Sequence, residues 1–146
     1  MINKVLVSID PSPTAARALE TAADLARGLH AQLTVMTVVP GLPAVAYQVA
    51  VDTSELERDI EQESQKLLRE AVDGLPDDLG VGHVLRHGHA AEEILKELDE
   101  GGHDLLVMGS RGRGRLASNV LGSVSAAVHF HSHVPVLTVP PEGDAA

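Results

Sequence analysis

The chain has 146 residues and is 44% hydrophobic, enough for one domain with a substantial core, but Tyr47 and Phe130 are its only aromatics, so that core is expected to be aliphatic. A formal net charge of -10 repels a polyanion, the missing aromatics remove the usual stacking platform for single strands, and the absence of Cys excludes a disulfide framework and a thiolate metal site. No apolar stretch approaches the length of a membrane span, and the opening MINKVLVSIDP is too brief for a signal-peptide core; the expectation is a cytoplasmic protein without nucleic-acid or membrane partners.

KVLVSID is a short run rich in β-branched residues that stops at Asp10-Pro11-Ser12-Pro13, which predicts a buried parallel strand over Lys4 to Ile9. From Thr14, the residues Ala15, Ala18, Leu19, Ala22, Leu25, Ala26 and Leu29 recur at helical spacing, with Ser12 and Pro13 placed to start a helix that ends near His30. QLTVMTVV reads as a second strand. Pro40 to Asp52 reads as a loop broken by Pro and Gly, and SELERDIEQESQKLLREAVDGL as a long amphipathic helix whose acidic first half suits a helix N-terminus. VGHVLRHG is a third strand, AAEEILKELDEG a third helix stopped by Gly101, and DLLVMG a fourth strand. SVSAAVHF is then a last helix and VPVLTV a fifth strand. Residues 1–140 make one domain on this reading, and 141–146 a polar tail that frays. Five strands alternating with four helices predict an α/β fold with one parallel sheet and helices on both faces.

Open α/β sheets bind ligands at the carboxyl ends of the strands, where the strand order reverses. Asp10 ends the first strand and a glycine-rich segment follows the fourth, so both would line one crevice if the order were 3-2-1-4-5. That segment, GSRGRGRLASNVLGSVS, runs from Gly109 to about Asn119 before its helix starts, beyond the ~2–6 residues usual for a βα connection. Glycines let backbone N–H groups approach a ligand, Ser123 offers a hydroxyl at the helix start, and helix N-termini attract anions. Arg111, Arg113 and Arg115 add local positive charge on an acidic molecule, so the segment reads as a phosphate cradle. It is not a P-loop: Gly109 and Gly114 have the separation, but Arg115 and Leu116 stand where Lys and Ser/Thr belong. Gly112 to Ala117 matches the dinucleotide pattern G-x-G-x-x-A, but it follows the wrong strand and lacks the downstream acid.

Gly109-x-x-Gly112, nine further residues and then Gly122-Ser123 resembles the nucleotide-binding signature of the universal stress protein family, in its ATP-binding branch. The likeness extends to KVLVSIDPSPTAARALETAADLA, HGHAAEEIL, DLLVMGSRGRG and VLGSVSAAVHFHSHVPVLTV, nearly the whole chain. The resemblance implies a five-stranded Rossmann-like fold that binds ATP, pairs as a homodimer through its last strand, and acts as a sensor or regulator with slow hydrolysis at most. It also implies roles. Asp10 would lie near the ribose and adenine, the backbone of Val38 would face the adenine edge, Met108 would pack near the base and Gly109 under the ribose. Gly112, Gly122, Ser123, Val124 and Ser125 would hold the phosphates, with Arg111 close by. Mg²⁺ would accompany the phosphates, because ATP rarely binds bare.

Several of these residues also have a plainer role, and the glycine spacing as a whole suits a mobile loop. Asp10 before Pro11 suits a strand end and helix cap, Ser123 suits a cap alone, and the arginines suit a solvated surface. HFHSH would align His129, His131 and His133 for Zn²⁺ only if extended, whereas helical periodicity runs through at least His129, so no metal site is expected. His83, His87 and His89 decorate a strand end, and the acidic run from Asp52 to Glu63 is a solvated helix start. Two other function classes stay open. A phosphohydrolase or phosphotransferase at the same site needs a positioned base, for which no second carboxylate is evident, and would show steady turnover. A partner-binding module without nucleotide would release no ligand on purification.

Overall fold

A computed structural model describes residues 1–49, 52–110 and 122–141. Strands β1 (Lys4–Ser8), β2 (Gln32–Val39), β3 (Val81–His87), β4 (Leu105–Gly109) and β5 (Val136–Val139) form one parallel sheet in the order β3-β2-β1-β4-β5. Helices α1 (Pro13–Leu29), α2 (Ala44–Val49), α3 (Ser54–Asp73), α4 (Ala90–Glu100) and α5 (Ser123–His131) connect them. Both the class and the strand order match the sequence expectation.

The apolar strands are explained by what covers them. Along β1, Val5 and Val7, with Ile9 just beyond the strand, join a core with α1 and α3, while Leu6 joins a second core with Ile94 and Leu98 of α4 and Val128 of α5. Val5, Leu6 and Val7 are 0% exposed, so the central strand has no solvent face and alternation of polar with apolar residues cannot appear in it. On α1 the buried residues are Thr14, Ala15, Ala18, Ala22, Ala23 and Ala26, small side chains that bring the helix close to the sheet. Pro13 opens α1 where its missing N–H has no helical acceptor to lose. His30 closes it in the left-handed conformation (φ 56°), with the Ala31 amide donating to the Ala26 carbonyl at 2.8 Å.

Two elements differ from expectation. The stretch from Pro40 to Asp52 contains α2, so there are five helices rather than four among the described residues. This helix buries no residue and leaves Val45, Tyr47 and Val49 exposed, so it has no apolar stripe by which periodicity would reveal it. The fifth strand begins at Val136 and not at Val134: Pro135 has no amide to give, and the Val134 amide donates to the Ser132 hydroxyl at 3.1 Å. The expected polar tail falls largely on 142–146, outside the described residues.

Side chains clasp the amino-terminal end of the β1–β4 pair. Asp104 Oδ2 accepts from the amides of Asn3 (2.8 Å) and Lys4 (3.0 Å), and these two bonds hold its carboxyl below the ordinary value. Lys4 Nζ donates to the Gly101 carbonyl, and buried His103 meets Glu97 Oε2 through Nε2 at 2.8 Å. Glu97 is held in turn by Arg86, whose guanidinium also pairs with Glu93 and Glu100, and Glu100 leads in raising its pKa above the ordinary arginine value. The sequence reading did not anticipate this network. Its signal is Glu93, Glu97 and Glu100 at i, i+4 and i+7, one helix stripe of like charge that calls for a cation.

Candidate functional site

The chain leaves β1 toward α1 on one face and leaves β4 toward α5 on the other, although β1 and β4 are hydrogen-bonded neighbours with Ser8 opposite Met108. Their connections diverge and leave a crevice at the carboxyl ends, the place where such sheets bind ligands.

Val38 overhangs that crevice. In a parallel strand, alternate residues direct both main-chain groups to the same side, and the Met36 carbonyl accepts from the Ile9 amide at 2.9 Å, so Met36 faces β1. Val38 therefore faces the same way, one repeat beyond, level with Asp10 where β1 has already ended. Its amide and carbonyl are an adjacent donor and acceptor beyond the last β1–β2 bond, while its side chain is buried among Leu6, Met36 and Ile94. Thr37, buried, fixes the strand end by donating its hydroxyl to the Ile9 carbonyl at 2.8 Å.

Half-buried Asp10 folds back locally, its Oδ1 accepting from the Ser12 amide at 2.9 Å. It thus orders the β1–α1 turn. Ser12 occupies the N-cap position without a side-chain cap bond.

On the opposite wall, the start of α5 is tied to the end of β4. The Gly122 amide donates to the Ser110 carbonyl at 2.8 Å, and the Ser125 hydroxyl donates to the Gly109 carbonyl, also at 2.8 Å. The Ser110 amide in turn donates to the Val139 carbonyl at 3.0 Å, which fixes the junction to β5. Gly122, not Ser123, is the N-cap; its carbonyl accepts the first helical bond from Ala126 at 2.9 Å. Helix geometry leaves the amides of Ser123, Val124 and Ser125 without intrahelical acceptors, at the positive end of the dipole. Ser123 is exposed there, Val124 half-buried against the α4–α5 core, and Ser125 buried with its one hydroxyl proton committed to Gly109. Met108 is buried in the same core as Val38.

The described residues thus bring Asp10, the Val38 main chain, Met108, Gly109 and the segment Gly122 to Ser125 to one end of the sheet. Arg111 and Gly112, with Arg113 and Arg115, lie outside the described residues. Helix α5 runs through His131, so His129 and His131 sit about 200° apart around its axis and do not converge.

A family model described as the universal stress protein family matches residues 1–140. Universal stress protein YxiE of Bacillus subtilis is 33% identical over 147 residues, covering 95% of this chain and 99% of that protein. The solved structure of hypothetical protein MJ0577 superimposes with a TM-score of 0.83 at 27% identity, over 98% of this chain and 99% of the other. A universal stress protein crystallised in complex with cAMP superimposes with a TM-score of 0.69 at 27% identity, over 94% and 97% of the two chains. With a matching family model over almost its whole length and a relative of this similarity, the chain belongs to the universal stress protein family.

Proposed function

We propose that the protein is an ATP-binding regulator of the cytoplasm that holds its nucleotide in the β1–β4 crevice and hydrolyses it slowly if at all. The observation that carries this reading is the bond from the Gly122 amide to the Ser110 carbonyl, which presents the positive end of α5 to the crevice that Val38 and Asp10 border. The Val38 donor–acceptor pair suits an adenine edge, and the free amides of Ser123 and Val124 suit phosphate oxygens. Asp10 and Gly109 stand at the ribose level between them, and Mg²⁺ would enter on the phosphates. A nucleotide ligand in a family member with the same fold supports the class. No helix among the described residues is long and apolar enough to cross a membrane.

Calorimetry of the purified protein with ATP, cAMP and adenosine tests the reading. ATP should bind at least about tenfold more tightly than adenosine, a difference of roughly 1.4 kcal/mol that comes from the phosphates. Equal affinities, or no binding of ATP, would sink it.

The same reading includes a homodimer through β5, supported by the outer edge of that strand, unpaired among the described residues, and by its exposed Leu137. Leu137→Lys should convert dimer to monomer in sedimentation velocity, and a dimer that survives the change excludes this interface.

A further inference from the structure

The other edge of the sheet carries a separate feature. Strand β3 is an edge strand of seven residues, against four in β5. The Leu33 amide donates to the Gly80 carbonyl and the Gly88 amide to the Val39 carbonyl, so the even-numbered residues of β3 turn their main-chain groups toward β2. Those of Val81, His83, Leu85 and His87 therefore point outward, and among the described residues nothing bonds them. The usual guards of an edge are missing: β3 contains neither Pro nor Lys, and its single charge, Arg86, is held by glutamates of α4 on the far face.

Beside this edge lies a groove of about 480 Å³, with Leu68 and Val72 of α3 and Leu85 of β3 as apolar walls and Arg69, Asp73 and His83 on its rim. Asp73 lines the groove, and Glu61, further along α3, bonds His87, two residues past Leu85 on β3, at 2.7 Å. An unpaired strand edge beside a helix-lined apolar groove has the two parts that strand addition needs: main-chain bonds for affinity and a pocket for alternate side chains.

Charge selects the occupant. Helix α3 carries Glu55, Glu57, Asp59, Glu61, Glu63, Glu70 and Asp73 against Arg58, Lys66 and Arg69, on a chain of net charge -10. A second copy paired edge to edge would set two such helices side by side on one face of the sheet, so like charges would oppose it. We propose that the β3 edge and the α3 groove bind an extended segment of a partner protein, with an apolar side chain seated between Leu68, Val72 and Leu85 and basic side chains two residues away on either side.

The peptide Ac-Ala-Lys-Thr-Val-Thr-Lys-Ala-NH₂ presents that pattern on one face and serves as the probe, titrated into the intact protein and followed by amide NMR. Binding should shift the amides of Val81, His83, Leu85 and His87 and slow their hydrogen exchange at least about tenfold. Of two peptides N-methylated at alternate positions, one should lose at least about tenfold in affinity and the other little, because only one set of amides faces β3. Replacing both lysines by Glu should cost at least about tenfold as well. His83→Pro removes an outward donor at a position where an edge strand tolerates Pro, and should weaken the native peptide at least about tenfold with the remaining spectrum unchanged. The peptide controls decide the matter even if that variant fails to fold. Equal binding of both N-methylated peptides, shifts confined to the outer face of α3, no binding at millimolar peptide, or dimerisation of the free protein through these same four amides would each overturn the proposal.

Discussion

The two ends of the β1–β4 pair are built on different principles. At the amino-terminal end, ionic side chains finish what the strands leave open: Asp104 takes the Asn3 and Lys4 amides, Lys4 takes the Gly101 carbonyl, and Glu97 takes His103. At the carboxyl end the side chains withdraw. Asp10 turns back on Ser12, Ser125 bonds inward to Gly109, and the Val38 main chain and the first amides of α5 are left facing the crevice. Apart from the buried His103 Nδ1, which has no hydrogen-bond partner, one end satisfies its polar groups internally, whereas the other leaves main-chain groups without partners among the described residues, so a change at the first should register in stability and a change at the second in binding.

The largest expected effect is at the carboxyl end. Gly122→Val places a branched side chain at the buried N-cap of α5, whose φ of -62° any residue can adopt, so the substitution adds no backbone strain. ATP affinity should fall at least about 100-fold by direct titration, while circular dichroism and melting stay close to native. Retained affinity would show that the two ends do not divide binding from stability as described. The converse experiment is Gly101→Ala. A Cβ there would collide with Glu97 Oε2 and His103 Nε2, and Glu97 cannot yield freely because Arg86 holds it. The cost should be about 2 kcal/mol in denaturant unfolding, with ATP affinity of the folded protein unchanged.

A smaller change is expected from Arg111 and Arg113 replaced together by Ala: at most about a tenfold loss of ATP affinity, because long charged side chains with many rotamers contribute modestly beside fixed main-chain donors. Complete loss with the fold intact would promote the arginines to primary ligands. The mildest test is a pH dependence. Because the Asn3 and Lys4 amides hold the Asp104 carboxyl below its usual 3.8, its stabilisation is present above that pH and is lost as pH falls through the lower folded-state value. Asp104→Asn should therefore lower stability at neutral pH and flatten the acid limb of the stability curve below about pH 3.8, measured by thermal melts across pH. An unaltered acid limb would mean that the clasp contributes nothing to folding.

The α/β alternation and the strand order were legible because helix and strand periods switch cleanly along the chain and because doubly wound sheets place their first strand at the crevice. Helix α2 was not, since a helix that buries nothing writes no pattern. At the site, the start of α5 at Ser123 could be read from the sequence. The destination of the Ser125 hydroxyl could not, because that bond depends on how α5 sits over Gly109 in three dimensions. The Arg86 network escaped for a related reason: its cation lies on β3 and its three carboxylates on α4, and only packing brings them together.

The pairing of β1 with β4 also bears on how the chain is made. The amides of Asn3 and Lys4 bond a carboxylate about 100 residues later in sequence, and Val5 and Leu6 lie opposite Leu105 and Leu106. At ribosomal speeds of about 5–20 residues per second, the central strand waits on the order of 5–20 seconds for the neighbour that completes its cover. During that interval KVLV is a sticky nascent segment, so chaperone demand should concentrate on early translation. A circular permutant that brought β4 next to β1 in sequence would shorten the wait without altering the finished sheet.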